Sequence, residues 1–401
     1  MGGYKNMADG GLVDPPPPAC PNDGPCLAWK DVSPPVDFKY KDLANYGLQT
    51  IDGAKADAPT TLYVGTCLQG LWKSTDSGDT WTKANTGKFY NNDNSVFSEP
   101  PYNGNPNNID SGRNWTLAVD PTDSNVVYTT AGYGFSQSLW KSTNGGVDWR
   151  EMFGETGKKT SAVLYTVAID PLNHLHLITT MFSWVGYDSD AGMQESFDGG
   201  ETWTSHPPDG KENGTPTGWG HGQYAFFLGQ KDDGTPDKDG KYWIVTTQTN
   251  GVWRTTDGSK SWKKVADFDM THGQESMFRT PSTNAIFLGA MGEVYRSLDN
   301  GASWKPTGAQ SGSDGYGGIV GDGAHIWAML SNTGVATAGP YQWQILPEND
   351  TTSSPGDSHW GFYSDQKFAN GPMSMLSDSK NHTLFASMWS AGLWRLTFPK
   401  N

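Results

Sequence analysis

The 401-residue sequence is poor in charge, and in positive charge above all. Only 18% of its residues are Asp, Glu, Lys or Arg, and 28 Lys and Arg stand against 43 Asp and Glu, for a net charge of −15. Nucleic acids and anionic membranes require clustered cations to neutralise their phosphates, so neither is an expected partner, whereas a neutral sugar is compatible. No apolar run approaches the ~20 residues of a membrane-spanning helix. Cysteines number only three, at 20, 26 and 67. Cys20 and Cys26 bracket a turn, CPNDGPC, that suits a small disulfide loop, and Cys26–Cys67 is the competing pairing. No signal peptide is visible, and the opening MGGYKNMADGG reads as an artificial start ahead of a mature protein. Sequons at Asn114, Asn213, Asn349 and Asn381 permit secretion, so an extracellular location is expected.

Glycine (50), proline (25) and tryptophan (18) are abundant, which describes short strands, many turns and aromatic packing, an all-β chain. A repeat dominates the pattern. STDSGDTW (74–81), STNGGVDW (142–149), SFDGGETW (196–203), TTDGSKSW (255–262) and SLDNGASW (297–304) share Ser/Thr-x-Asp-x-Gly-x-x-Trp, with Asn144 and Ser259 as single departures. Aromatic strands such as GLWKS, SLWKS, GVWRT and EVYRS precede the octads, further strands lie upstream, and another follows each octad. Each unit is therefore four antiparallel strands, the pattern of a propeller blade. In the octad the Asp accepts backbone N–H bonds in a tight turn, Gly supplies positive φ, and Trp packs between blades.

The octads resemble the Asp-box, or BNR, repeat shared by sialidases, xyloglucanases, sortilin-type receptors and photosystem-assembly factors, which implies a β-propeller and leaves enzyme and binder both open. Residues 316–347 form a degenerate sixth unit and 372–398 supply three strands of a seventh. LAWKDVSPP (27–35) has the form of a fourth strand, so the N-terminal segment is expected to close the last blade and remove the open edges. The reading is one seven-bladed domain over 27–401 behind an extension of 1–26.

The octads and first hairpins of the blades share one face of such a disc. The opposite face is assigned long irregular segments, 88–114, 182–192, 207–222 and 348–371, where a binding cleft is expected. His-Gly-Gln occurs twice, and His221 and His272 fall at equivalent positions in the fourth and fifth units. They read as a proton-transfer pair or as two nitrogen ligands of a metal, with Gln223 and Gln274 nearby; the plainer reading is a relic of duplication bonded to loop backbone. Glu275, Glu293, Asp314, Tyr316 and Tyr224 are placed around them. Glu293 occupies the slot of Leu71, Val252 and Leu393, with an ion pair to Arg279 or Arg296 as its structural explanation. Arg113, Trp115, Trp184, Tyr187, Trp219, Trp360 and Trp389 are the candidate sugar-binding residues, the tryptophans offering flat apolar faces. Asp233, Asp237 and Asp239, in an octad-side hairpin, are a weak calcium candidate, and no cofactor is required.

The three-arginine clamp and Arg-Ile-Pro motif of sialidases are missing, and xyloglucanases use two tandem propellers with paired aspartates between them, whereas one is present here. The expectation is a secreted, monomeric carbohydrate-active enzyme cleaving a poly- or oligosaccharide. It is either a polysaccharide lyase using His221 or His272 with Tyr316, or a glycoside hydrolase using carboxylates among Glu275, Glu293 and Asp314. A non-catalytic lectin-like or protein-binding propeller is the alternative.

Overall fold

A computed structural model of the chain describes residues 26–37, 48–54, 57, 60–102, 109–110, 112–132, 138–152, 163–182, 193–206, 223–248, 250–271, 276–332, 338–378 and 380–399. Seven sheets, each with four antiparallel strands, stand around a ring, and the fold is an all-β, seven-bladed propeller. The first strand of each blade is the innermost: Leu48–Ala54, Leu117–Asp120, Val163–Asp170, Gln223–Phe227, Met277–Arg279, Ile319–Gly321 and Pro372–Asp378. Neighbouring inner strands touch around the ring, as Leu48–Ala54 does with both Leu117–Asp120 and Pro372–Asp378. Second strands such as Thr61–Thr66, Trp243–Thr247 and Ile286–Ala290 are buried at every position. A blade is covered on both faces by its neighbours, so these strands read as continuous runs of β-branched and aromatic residues, without polar alternation.

The seventh blade is closed by the N-terminal segment, with Lys30 opposite Arg395 and Asp31 opposite Trp394. Trp29 stacks on Trp343 with centroids 4.7 Å apart. Gln366 clamps its backbone, accepting from the Trp29 amide and donating to its carbonyl, each at 3.0 Å. Cys26 is disulfide-bonded. Cys67 carries a buried thiol, which overturns the Cys26–Cys67 pairing; Cys20 lies outside the described residues.

The octads form one repeated turn. In the first, the Thr80 amide donates to Asp76 Oδ1 at 2.9 Å, the Thr80 hydroxyl to Oδ2 at 2.6 Å, and the Gly78 amide to Ser74 Oγ at 2.8 Å. The fourth and fifth octad positions both lie at positive φ, as at Ser77 and Gly78, and Ser259 adopts φ 60° where the other octads have glycine. The Lys or Arg that precedes an octad bolts its blade to the next. Lys73, Lys141 and Arg254 donate to the carbonyls of Gly145, Gly199 and Asn300, the fourth octad residues of the following blades, at 3.3, 2.8 and 3.0 Å. Arg395 does the same to Ser77 at 2.6 Å, across the closure of the ring.

Two segments depart from the expected loop-side placement. Phe89–Tyr90 and Val96–Ser98, expected within an irregular loop, form a hairpin that extends blade 2 to six strands, Phe89–Tyr90 lying parallel to Trp149–Glu151. Residues 348–360 connect the strands Gln344–Pro347 and Gly361–Phe362, the third and fourth of blade 6. They therefore lie on the octad side, opposite the expected face, because this blade lacks an octad and makes its turn with a longer segment. Asp350 there pairs with Arg296 at 2.8 Å.

Candidate functional site

Of the sequence-predicted site, His221, His272, Glu275, Gln274, Trp184, Tyr187 and Trp219 lie outside the described residues, as does the side chain of Gln223. Thr271, the last described residue before 272–275, packs against Gly315 so closely that a Cβ there would lie 2.5 Å from the Thr271 Cβ. The described candidates separate into two groups. Trp115 and Trp389 lie together in the interior, centroids 6.4 Å apart, and are 3% and 1% exposed. Trp360 is 3% exposed and donates its indole N–H to Thr307 Oγ1 at 2.9 Å from the octad side. These three rings are packing residues, with no face open to a sugar. Tyr316 is fully buried, donating to the Gln310 carbonyl at 2.7 Å and accepting from Gln344 Nε2 at 2.9 Å. Burial pushes its hydroxyl far above the usual range, which removes it as a proton donor to substrate.

Arg113 sits on the loop side, bridging Cys67 of blade 1 and Gly132 of blade 2. Asp233 accepts from Thr235, Asp237 from the Tyr242 amide, and Asp239 from Lys241. They do not converge, and no group of three His, Cys, Asp or Glu side chains placed to hold a metal occurs among the described residues.

Glu293 and Asp314 remain on the loop side, where blades 5 and 6 meet. Glu293 opens the third strand of blade 5, Glu293–Ser297, and its expected guanidinium partners are engaged elsewhere. Arg296 binds Asp350, and Arg279 donates to Asn284 and Asn300. Glu293 Oε1 accepts instead from the amides of Val294 at 2.8 Å and Ala309 at 3.0 Å. Burial raises its carboxyl above the ordinary carboxylate value, and these backbone donors only partly oppose the shift. Asp314 lies on the connection from Lys305–Pro306 to Ile319–Gly321, its carbonyl accepting from the Gly292 amide, next to Glu293, at 2.9 Å. Its carboxylate is held by the Tyr341 hydroxyl at 2.5 Å and Asn332 Nδ2 at 2.7 Å. Exposed Met291, bridged to Gly315, adds an apolar surface beside them. One carboxyl disposed to hold its proton and one fixed by hydroxyl and amide donors are the elements of acid–base chemistry.

Two further features escaped the sequence reading. A cavity of about 550 Å³ occupies the central channel. It runs from Thr116 and Tyr224 to Pro121, Pro171 and Gln230 of the first hairpins, and so reaches the octad-side end. Burial, and then the neighbouring Arg254, bring Arg279 at this end down to about 10, still protonated at neutral pH. Between blades 3 and 4 lies a buried chain of ionisable groups. His176 Nδ1 meets Asp170 Oδ2 at 3.1 Å, His176 Nε2 meets Glu195 Oε1 at 2.8 Å, and His206 Nε2 meets Glu195 Oε2 at 2.8 Å. Glu195 stands in the slot of Lys73, Lys141, Arg254 and Arg296, and Ser259, the octad serine in a glycine position, contacts it at 3.4 Å. Both departures from the repeat were visible in sequence, but their meeting was not.

The fold is thus a seven-bladed propeller with two carboxyls, Glu293 and Asp314, on its loop side and a cavity in its channel. No family model matches the chain. Xyloglucanases from Hypocrea jecorina and a Paenibacillus species are 26% and 27% identical over 255 and 279 residues, covering 63% and 58% of this chain but only 24% and 23% of their own lengths. Among solved structures, a GH74 xyloglucanase from Xanthomonas campestris superposes with a TM-score of 0.57 at 15% identity, over 92% of this chain and 53% of that one. YCF48 from Cyanidioschyzon merolae superposes with a TM-score of 0.53 at 15% identity, over 93% and 99%. The structural likenesses are of fold.

Proposed function

We propose that this chain is a secreted carbohydrate-active propeller of the glycoside-hydrolase kind, acting on a neutral polysaccharide of the xyloglucan class at the loop-side junction of blades 5 and 6. Glu293 protonates the departing glycosidic oxygen, and Asp314, oriented by Tyr341 and Asn332, is the companion carboxylate that activates water or attacks the sugar. The observation that carries the reading is the contrast between the two carboxyls, one raised by burial and held only by amides, the other accepting a hydroxyl and an amide N–H. The names of the sequence relatives support the substrate class, and the net charge of −15 favours an uncharged polymer.

The test is release of reducing ends from xyloglucan and other neutral β-glucans by the wild type, Glu293→Gln and Asp314→Asn. Loss of a general acid lowers turnover by about 10²–10⁴-fold, and both variants are expected to fall by that order while still binding polymer. Binding without release by the wild type would replace this reading with a lectin-like propeller.

A further inference from the structure

The central channel is a second concave site, and the loop-side chemistry makes no use of it. Its volume of about 550 Å³ falls within the ~300–1,000 Å³ of small-molecule pockets. Leu117, Val119, Val167, Ile169 and Phe227 make its walls largely apolar, and Asp52 and Arg279 are its charged lining residues. Asp52 is committed to the fold, accepting from the Gly53 amide and from the Val119 amide of the next blade, each at 2.8 Å. Arg279 is not balanced in this way. It donates to the Asn284 carbonyl at 3.1 Å and to Asn300 Oδ1 at 2.6 Å, both neutral, and it meets no carboxylate among the described residues. Its Nε is buried without an acceptor. The adjacent Arg254 is paired with Asp232, so the uncompensated charge at this mouth belongs to Arg279.

We propose that the octad-side mouth of the channel binds a small organic monocarboxylate, its carboxylate paired with Arg279 and its apolar body within the channel. The asparagine contacts hold the guanidinium in place before binding, and apolar walls strengthen a charge pair relative to water. An ammonium ligand is repelled by Arg279, a neutral one leaves its charge unpaired, and a dianion also faces Asp52 on the blade 1 side of the ring.

Benzoate and hexanoate, each against its uncharged carboxamide, are the probes, with binding read by calorimetry on the full chain. The acids are expected to bind and the amides not. Arg279→Gln is expected to weaken the acids by at least about tenfold, the range for a lost charge-assisted hydrogen bond. Gln230→Glu, which adds a repelling carboxylate at the mouth and leaves Arg279 in place, should do likewise and decides the matter if Arg279→Gln does not fold. Wild-type protein that binds neither acid, or binds acid and amide alike, overturns the proposal. So does a folded variant of either kind that binds the acids as the wild type does.

Discussion

Asp198 shows what a single octad carboxylate does. It accepts from the Ser196 hydroxyl at 2.8 Å, the Thr202 amide at 2.8 Å and the Thr202 hydroxyl at 2.6 Å. Burial opposes its charge, but these donors outweigh that and hold the carboxyl below its ordinary value. Blade 2 supplies a natural control, because Asn144 Oδ1 accepts from the Asp148 amide at 2.9 Å in the same way. Asp198→Ala is therefore expected to lower unfolding stability by about 1–2 kcal/mol and Asp198→Asn by less than half as much, as read from urea midpoints. Glu293 has the opposite character. Its raised folded value means that the ionised carboxylate is disfavoured in the fold, so stability falls as pH rises above the ordinary value of 4.5 toward the folded one. Glu293→Gln should then melt no lower than wild type at neutral pH while losing activity. A purely structural carboxylate would show the reverse. If Glu293 is the acid, turnover must also decline as pH rises through its pKa, and Glu293→Gln must lack that limb.

At the scale of an element, the joint between blades 3 and 4 differs from its counterparts. In blades 1, 2, 4, 5 and 7 a lysine or arginine of the third strand donates to a carbonyl of the next blade's connecting turn, whereas here Glu195 lies between two imidazoles against Ser259. Burial by itself would lower His176, but Asp170 and Glu195 on its two ring nitrogens raise it above 6.5. Burial would likewise raise Glu195, and the bonds from His176 and His206 lower it below 4.5. The His176 contribution is complete below pH 6.5 and is lost as pH rises through its raised folded value. The Glu195 contribution is complete above pH 4.5 and is lost as pH falls through its lowered one. Stability from this joint is therefore greatest between pH 4.5 and 6.5, and His176→Gln should flatten the alkaline decline in a series of urea titrations. The sequence held the clue in the repeat, where an acid replaces a base at 195 and a serine replaces a glycine at 259. It did not show that the two substitutions face one another, because they sit 64 residues apart on different blades.

For the whole molecule, closure is the vulnerable point, since the seventh blade is assembled from both halves of the described chain. Trp29 is 3% exposed, stacked on Trp343 and edge-on to Trp327, so it anchors the closing strand in the core of blade 6 as well. Trp29→Ala is expected to remove about 3–5 kcal/mol of stability, measured by chemical denaturation. Retention of wild-type stability would mean that the ring does not depend on this seam.

The blade count and the octad turns were legible in the sequence because each is local, whereas the N-terminal closure pairs distant segments, Lys30 with Arg395, and was legible because the last unit has three strands and residues 27–35 have the form of the missing fourth. An octad makes its own hydrogen bonds within eight residues, and a strand carries its own pattern of apolar residues. Which side a segment falls on was legible only where the repeat was intact; 348–360 has no octad, and its side follows from the strands it joins. The site depended on tertiary structure. Sequence position alone offered Trp115, Trp360, Trp389 and Tyr316 as binding or catalytic groups, yet neighbouring blades bury all four. The same packing gives Arg296 to Asp350 of another blade and Arg279 to Asn284 and Asn300, so among the described residues Glu293 meets neither guanidinium and Arg279 meets no carboxylate. Side-chain chemistry is written in the sequence, but burial and pairing are decided by what the ring brings alongside.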